Sequence, residues 1–257
     1  MKQFRSQSRP KKSSLVIGKK AVMDALQTGQ ALERIYLQNN LGGKELTAIT
    51  NLATQNKIPV SKVPGAKLDG YNITNHEGCV ALLSRVHYQD MQDIISFVIE
   101  KGETPLFLIL DGITDIRNIG GIARTALCTG VHAIIIPDKG VGMLNEDAIL
   151  TSAGALEKLP VCRVNSLLKA VDELHLNGII VLSSEMTAEK AVFEIDFNQP
   201  VAIIMGSEEK GIYPALLKAS DAKFKIPMAN NFESLNVSVA TGIILYEAMK
   251  QRLPVSS

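Results

Sequence analysis

The chain has 257 residues, enough for one large domain or two smaller ones, and 46% of them are hydrophobic, which is ample for a packed core. The net charge is only +1, which excludes a uniformly basic protein, but residues 1–87 hold 13 Lys and Arg against 5 Asp and Glu, whereas residues 88–257 hold 14 against 21. The resulting charges of +8 and −7 favour a polyanion as the partner of the N-terminal part. Residues 1–14 contain five basic side chains and no acid, and a solvated flexible tail is an equally good interpretation of that segment.

The sequence lacks the features of a secreted, metal-binding or membrane protein. Cys79, Cys128 and Cys162 lie far apart and form no CxxC pair, which predicts neither a disulfide framework nor a zinc site. The histidines show no metal-ligand spacing, so no metal is expected. No apolar run approaches about twenty residues, and the N-terminal segment lacks the apolar centre of a signal peptide. We therefore expect a cytoplasmic protein with no membrane contact.

Residues 15–87 have the pattern of a small α/β unit. Helically spaced apolar residues alternate with short apolar runs, as in helices and strands that pack into one layered sheet. A polar turn at 75–78 precedes the last strand. The predicted helices cover 18–28 and 46–55, and the predicted strands cover 34–37, 58–63 and 79–83.

A different pattern begins after the partly helical segment 88–103, which we interpret as a linker. Continuous apolar runs, as expected for strands buried on both faces of a parallel sheet, recur within 104–257. Helical stretches separate them, which predicts a second α/β domain with a mostly parallel sheet. Ligands of such sheets bind beyond the carboxyl ends of the strands. The apolar runs are 106–110, 133–136, 178–182 and 201–205.

The loop after the first run, 111–126, contains several glycines and leads into a helix. Glycine lets a backbone approach a ligand closely, and a helix N-terminus favours an anion. Arg124 lies about one turn inside that helix, where we expect it to be buried and paired with a carboxylate, a phosphate or a substrate. A structural turn with an ion-paired arginine explains this loop alone equally well.

The loop after the strand 201–205 is the second candidate. Gly206 suits a tight exit from the strand, and Glu208 follows where it could meet Arg124. Taken by itself, an exposed acidic turn is the simpler interpretation of this loop.

The third candidate is the segment 226–242, in which an apolar strand ends at a proline and a long apolar helix follows. Ser234, Asn236 and Ser238 cluster where this helix should start, as capping residues do. The helix is nearly apolar over several turns, so we expect it to be buried rather than to lie on the surface. Buried polar groups at its start predict either a binding site or a well-made cap.

Together the three loops resemble the SpoU (TrmH-type) family of RNA ribose 2′-O-methyltransferases. The family pattern is Asn-x-Gly-x-x-x-Arg, then Gly-x-Glu-x-x-Gly, then Ile-Pro-Met followed by Ser-Leu-Asn-Val-Ser-x-Ala, and all three motifs occur in order within 104–253. The third motif is nearly complete and very specific, whereas the first two are weak alone. The motifs are carried by Asn118, Gly120 and Arg124, by Gly206, Glu208 and Gly211, and by 226–240.

The resemblance implies a C-terminal α/β-knot (SPOUT-type) methyltransferase domain, preceded by a small α/β RNA-binding domain like that of the RlmB-like branch. It also implies S-adenosyl-L-methionine as cofactor, RNA rather than DNA as substrate, and a homodimer. The knot and the dimer enter through the resemblance alone.

Two sets of site residues are likewise implied by the resemblance. Arg124 would activate the ribose 2′-hydroxyl, and because the pKa of arginine is so high, orientation and charge stabilisation would be its larger role. Backbone groups would hold the cofactor, with a methionine packed beside it. The implied catalytic residues are Arg124, Asn118, Glu208, Ser234 and Asn236, and the implied cofactor-binding residues are Gly206, Ile226, Met228 and Leu235.

The resulting functional hypothesis is methylation of a ribose 2′-hydroxyl at a guanosine of 23S rRNA, in free RNA or in a ribosome-assembly intermediate. A separate N-terminal domain favours ribosomal RNA, and a transfer-RNA 2′-O-methyltransferase is the alternative within the same class. A non-catalytic RNA-binding or ribosome-assembly protein of the same fold is the alternative from a different class.

Overall fold

The computed structural model describes residues 14–71, 73, 75–144, 146–229 and 234–253. They divide into two compact units, one ending at Arg85 and the other beginning at Val86. The predicted basic tail lies almost wholly outside the described residues, as does the part of the third loop at 230–233. None of the described helices is long and apolar enough to cross a lipid bilayer.

The first unit is a four-stranded sheet with helices packed on it, and the sequence predicted this α/β class but neither the strand Leu15–Ile17 nor the helix Gly65–Asp69. Its strand order is β1-β4-β2-β3, with β2 and β3 parallel and the other pairs antiparallel. The predicted helices bury the helically spaced apolar residues from which they were predicted. In the helix Lys19–Gln27 these are Val22, Ala25 and Leu26. The elements are β1 (Leu15–Ile17), α1 (Lys19–Gln27), β2 (Leu32–Gln38), α2 (Lys44–Gln55), β3 (Val60–Val63), α3 (Gly65–Asp69) and β4 (Cys79–Leu83).

The polar turn before β4 is held by its own side chains. His76 accepts the backbone N–H of Gly78 on Nδ1 at 3.0 Å, and its Nε2 lies 3.0 Å from the carboxylate of Asp69. Glu77 accepts the backbone N–H of Lys19 at the start of α1. The imidazole and the carboxylate therefore hold this turn against α1 and α3.

The second unit is built on one eight-stranded sheet in which every described pairing is parallel. The strand order is β10-β12-β9-β11-β6-β7-β8-β5. The knot implied by the resemblance stays a prediction. The strands are β5 (Tyr88–Gln89), β6 (Leu106–Asp111), β7 (Ala133–Pro137), β8 (Val161–Val164), β9 (Ile180–Ser184), β10 (Lys190–Ala191), β11 (Val201–Gly206) and β12 (Ala222–Lys225).

Helices cover both faces of this sheet, which is why its strands read as unbroken apolar runs. On β6, Leu106, Leu108 and Leu110 face one layer, whereas Phe107 and Ile109 face the other. The first layer contains α5 (Ile116–Cys128), α6 (Glu146–Thr151), α7 (Ala155–Lys158) and α10 (Val237–Arg252), and the second contains α4 (Met91–Glu100), α8 (Leu167–Leu176) and α9 (Pro214–Ala219).

The segment 88–103 is not the linker that its polarity suggested. Tyr88 and Gln89 form β5, which pairs with β8 at the edge of the large sheet. Helix α4 buries Met91, Ile94 and Ile95 in the second layer. Helix α4 has six apolar residues in ten, and the polar residues on either side of it concealed a core element.

Helix α10 is buried on one face only, so the expectation of complete burial is wrong. Ile244, Leu245 and Ala248 are inaccessible to solvent. Val239, Ile243 and Tyr246 form an apolar stripe on the other face and are 52%, 40% and 59% exposed. The helix therefore serves both the core and an apolar surface.

The C-terminal end of α10 is fastened to the amino-terminal side of the sheet by Arg252. Its guanidinium donates hydrogen bonds of 2.7–3.0 Å to the backbone carbonyls of Thr104, Pro105, Phe197 and Gln199. Burial lowers the pKa of Arg252 from its ordinary value, as expected for a cation that is satisfied by dipoles alone. One side chain thus connects the end of α10 to the segments that lead into β6 and β11.

Replacing Arg252 by methionine should lower the free energy of unfolding of the second unit by about 3 kcal/mol, because several carbonyls lose a charged donor. Lys250→Met is the matched control, since Lys250 is exposed and forms only a surface ion pair with Glu247. That pair is expected to contribute less than about 1 kcal/mol. Calorimetric melting of both variants checks the difference, and equal melting temperatures would contradict the assignment.

Candidate active site

The three loops predicted to carry chemistry lie at one edge of the large sheet. Strands β6 and β11 are neighbours, with Asp111 and Gly206 paired at their carboxyl ends. Ile226 follows directly after β12. Strand β12 pairs with β9, and β9 is separated from β6 by β11. The parallel direction of these strands puts all three exits on the same edge, as the sequence predicts.

Asn236 is both the cap of α10 and a member of a side-chain network. Its Oδ1 accepts the backbone N–H groups of Ser238 and Val239 at 3.0 and 3.3 Å. Its Nδ2 donates to Oδ1 of Asn118 at 3.0 Å and to Oε1 of Glu208 at 2.6 Å. The side-chain amide of Asn236 therefore caps the helix and also takes part in the network of the candidate site.

The carboxylate of Glu208 is the centre of this network. Its Oε1 accepts three N–H donors: Nδ2 of Asn236 at 2.6 Å, the backbone N–H of Val237 at 3.1 Å and Nδ2 of Asn118 at 3.3 Å. The N-terminus of α10 stabilises a negative charge at this position. One oxygen thus joins the second motif to the first and the third.

The loop that carries Glu208 is folded tightly against its own strand. Ser207 and Gly211 exchange backbone hydrogen bonds, and Gly211 has a φ of +66° that favours glycine. A Cβ on Gly206 would overlap the carbonyl carbon of Gly211, so only glycine allows this close approach. The carboxylate of Asp111 then accepts the backbone N–H of Tyr213 at 2.6 Å and ties the end of the loop to β6.

Arg124 does not occupy the buried position expected for it. The residue is exposed on α5, and it forms no ion pair with Glu208, whose hydrogen bonds go to the two asparagines and Val237 instead. Arg124 lies three residues after Gly121, which meets Ser238 where α5 and α10 come into contact. Its guanidinium is therefore available to a ligand at the side of the helix pair.

Two features of the first loop have structural functions. The N-terminus of α5 is capped by Asp115, which accepts the backbone N–H of Arg117 and also holds its guanidinium. A Cβ on Gly120 would lie 2.6 Å from the side chain of Thr151. Glycine at this position is thus required for packing of α5 on the end of α6, and the approach of this loop to a ligand stays a prediction.

A cavity of about 320 Å³ lies beside the Glu208 loop. Four of the residues implied for catalysis or cofactor binding, apart from Glu208 itself, line it: Gly206, Ile226, Ser234 and Leu235. Met228 is not among the lining residues. The sequence analysis missed the end of β9, where Ser184, Glu185 and Met186 form another wall of the cavity. The rule that ligands bind beyond strand ends could have identified that segment.

Comparison with known proteins gives matches over both units. Residues 105–246 match the SpoU rRNA Methylase family model, and residues 15–89 match the model for RNA 2′-O ribose methyltransferase substrate binding. YacO of Bacillus subtilis (strain 168), assigned to the TrmH family of tRNA/rRNA methyltransferases, is 35% identical over 240 residues, which cover 93% of this chain and 96% of YacO.

Solved structures agree with these matches. The SpoU methyltransferase AviRb from Streptomyces viridochromogenes, in complex with the cofactor AdoMet, superposes with a TM-score of 0.60 at 25% identity, over 93% of this chain and 90% of AviRb. The A. aeolicus TrmH/SpoU tRNA modifying enzyme gives a TM-score of 0.52 at 28% identity, over 63% of this chain and 83% of that enzyme. The family resemblance, the fold class and the enzyme class predicted from the sequence are confirmed.

Replacing Asn236 by aspartate should make stability depend on pH. The variant places a second carboxylate against Glu208, and like charges raise the pKa of the pair in the folded protein above its unfolded value. Stability is then retained at low pH and lost as the pH rises through the raised pKa. We expect the melting temperature of Asn236→Asp to approach that of the wild type near pH 4.5 and to fall well below it near pH 8, as carboxyl groups ionise between these values.

Ser238→Ala is the control for this experiment, because it removes one neutral hydrogen bond to Asn236 without adding charge. Its melting temperature should differ from that of the wild type by a pH-independent amount. The same pH response in both variants would contradict the contact between Asn236 and Glu208.

Proposed function

Because the chain belongs to the SpoU rRNA methylase family, we propose that it methylates a ribose 2′-hydroxyl in RNA, at a guanosine of 23S rRNA, with S-adenosyl-L-methionine as methyl donor. The match of 15–89 to a substrate-binding model for RNA 2′-O ribose methyltransferases supports the ribose hydroxyl as acceptor. The solved tRNA modifying enzyme aligns with only 63% of this chain, which favours ribosomal RNA over transfer RNA.

The observation that carries the proposal is the junction at Glu208. Asn118, Glu208 and Asn236 come from three distant segments and meet within hydrogen-bond distance at the carboxyl edge of the sheet. A non-catalytic RNA-binding protein has no need for this convergence beside a cavity. A loop carboxylate that accepts three N–H donors is instead a rigid support for a reaction site.

The cavity beside Glu208 fits S-adenosyl-L-methionine in its chemistry. Met205, Ile226 and Leu235 supply apolar surface for an adenine ring, and the exposed backbone next to Gly206 supplies polar contacts for adenine and ribose. Glu185 and Glu208 in its walls supply negative charge, which would attract the cationic cofactor. When bound, the cofactor supplies a methyl group on a cationic sulfur, which accepts the bonding electron pair as the methyl group leaves.

The residues of this chain would orient the ribose, and the proton of its 2′-hydroxyl would pass to water as the methyl group is transferred. The 2′-oxygen must lie in line with the methyl–sulfur bond, and holding it there contributes a large part of the rate. Arg124 is exposed on the side of α5 that borders α10, so its guanidinium can reach RNA and stabilise the charge that develops on the oxygen. Asn118, which binds Glu208, and Ser234, which lines the cavity, supply neutral hydrogen-bonding groups.

The apolar stripe on α10 is proposed as the contact with a second copy of the chain. Val239, Ile243 and Tyr246 recur at helical spacing, and exposed Phe193 lies with them along one open groove of about 620 Å³. A homodimer would bury this stripe against its symmetry mate. Sedimentation should show a dimer for the wild type and a monomer for Ile243→Asp, and a monomeric wild type would contradict the assignment.

The state of the cysteines supports a proposal for the cell compartment. Cys79 and Cys162 are buried thiols and Cys128 is an exposed one, and none of the three is in a disulfide. Free thiols persist in a reducing compartment, so we propose the cytoplasm.

Arg124→Ala should lower methyl transfer by about 10² to 10⁴-fold, the usual loss for a group that assists proton transfer, while leaving cofactor affinity unchanged. The assay follows labelled methyl transfer from S-adenosyl-L-methionine to protein-free 23S rRNA, with bulk transfer RNA in parallel and ribose methylation mapped by nucleotide. Lys169→Ala, which removes an exposed positive charge from the opposite layer, is the control.

A single 2′-O-methyl site on 23S rRNA that depends on Arg124 is the predicted result. Label on transfer RNA would establish the alternative substrate. Cofactor binding without transfer to either RNA, or to a precursor ribosomal particle, would favour a non-catalytic RNA-binding protein. Loss of cofactor affinity in Arg124→Ala would contradict the role given to the arginine.

A further inference from the structure

A second cavity, of about 660 Å³, also borders the Glu208 loop. Its walls are the loop after β6, including Gly112 and Thr114, and the segment from Ser207 to Pro214. Glu208 and Val237 line this cavity as well as the smaller one. The two cavities therefore meet at the N-terminus of α10.

Tyr213 stands at the wall of this second cavity and is 61% exposed. Within the described part of the chain, its phenol makes no hydrogen bond and its ring no aromatic contact. Its backbone is nevertheless fixed, because the N–H is held by Asp111 at 2.6 Å and α9 begins at the next residue, Pro214. A large exposed ring on a rigid backbone is a stacking platform.

The cavity also contains hydrogen-bond acceptors that suit a nucleobase. One oxygen of Asp111 binds Tyr213, and the other accepts no hydrogen bond from any described residue. Asp111 lines the cavity at the end of β6, so that oxygen can accept an N–H from a base edge. Lys210 on the same wall is exposed and can meet a phosphate.

We propose that this cavity holds the base of the nucleotide whose ribose is methylated, with Tyr213 stacked on the base. The inference rests on the proposed function, because a base is joined to the carbon next to C2′ and must lie close to the reacting oxygen. The cofactor cavity and the base cavity share Glu208 and Val237 as lining residues, so the ribose between them would bring its 2′-oxygen into direct contact with the methyl group.

Kinetics test the stacking. Tyr213→Ala should lower kcat/KM for RNA about tenfold, equal to about 1.4 kcal/mol and within the range for one stacked base, mainly by raising KM for RNA. Tyr213→Phe keeps the ring and should stay within about twofold of the wild type, and KM for S-adenosyl-L-methionine should not change in either variant. Wild-type kinetics in Tyr213→Ala, or equal losses in both variants, would overturn the proposal.

A fluorescence titration tests the same site without requiring methyl transfer. The chain has no tryptophan, so Tyr213→Trp places the variant's one tryptophan at the cavity. Phe97→Trp is the control, since Phe97 is 53% exposed on α4, near the opposite edge of the sheet. Protein-free 23S rRNA should quench Tyr213→Trp saturably, while Phe97→Trp should show only the linear loss caused by RNA absorbance.

The outcomes separate this inference from the proposed function. Equal signals from the two tryptophan variants, with both binding RNA equally on filters, would overturn the base cavity even if the wild type methylates RNA. A wild type that methylates no RNA would overturn the proposed function, while specific quenching of Tyr213→Trp would still support a base-binding cavity.

Discussion

The second unit depends on one carboxylate oxygen at the carboxyl edge of its sheet. Oε1 of Glu208 accepts N–H groups from Asn118, Asn236 and Val237. Asn118 lies more than a hundred residues before the other two donors in the sequence. Asn118 and Asn236 are also joined directly, since Nδ2 of Asn236 donates to Oδ1 of Asn118. The charge also lies at the N-terminus of α10, where the helix dipole stabilises it. Removing the carboxylate would break the hydrogen bonds that join the Glu208 loop to the other two loops and would leave the backbone N–H of Val237 without this acceptor.

The position of this junction explains how one edge of a parallel sheet can serve two substrates. The loop that presents Glu208 is narrow, because Gly206 and Gly211 allow it to fold back on itself. Two cavities border it, and Glu208 and Val237 at the start of α10 line both. Arg124 is exposed on α5. In the proposed function the methyl donor and the acceptor oxygen would come into direct contact where the two cavities meet, as in-line transfer requires.

The sequence predicted the buried strands and the capping residue because each follows from a local pattern. Unbroken apolar runs predicted a sheet covered on both faces. Polar residues directly before an apolar helix predicted an N-terminal cap, which is Asn236. The exposure of Arg124 could not be predicted, since it depends on which side of α5 faces α10. The segment 88–103 was mistaken for a linker because polar residues flank the apolar positions of α4. Tyr213 carried no signal, as exposure is not encoded in a single residue.

Hydrogen exchange in Glu208→Ala, followed by mass spectrometry, tests the central claim most directly, namely that Glu208 joins the three loops. The claim predicts faster exchange at the start of α10, the site of the Val237 amide, and in the loops around Asn118 and Gly211, with β6 and β11 unchanged. Exchange rates at the start of α10 equal to those of the wild type would contradict it, because the Val237 amide would then be protected without the carboxylate.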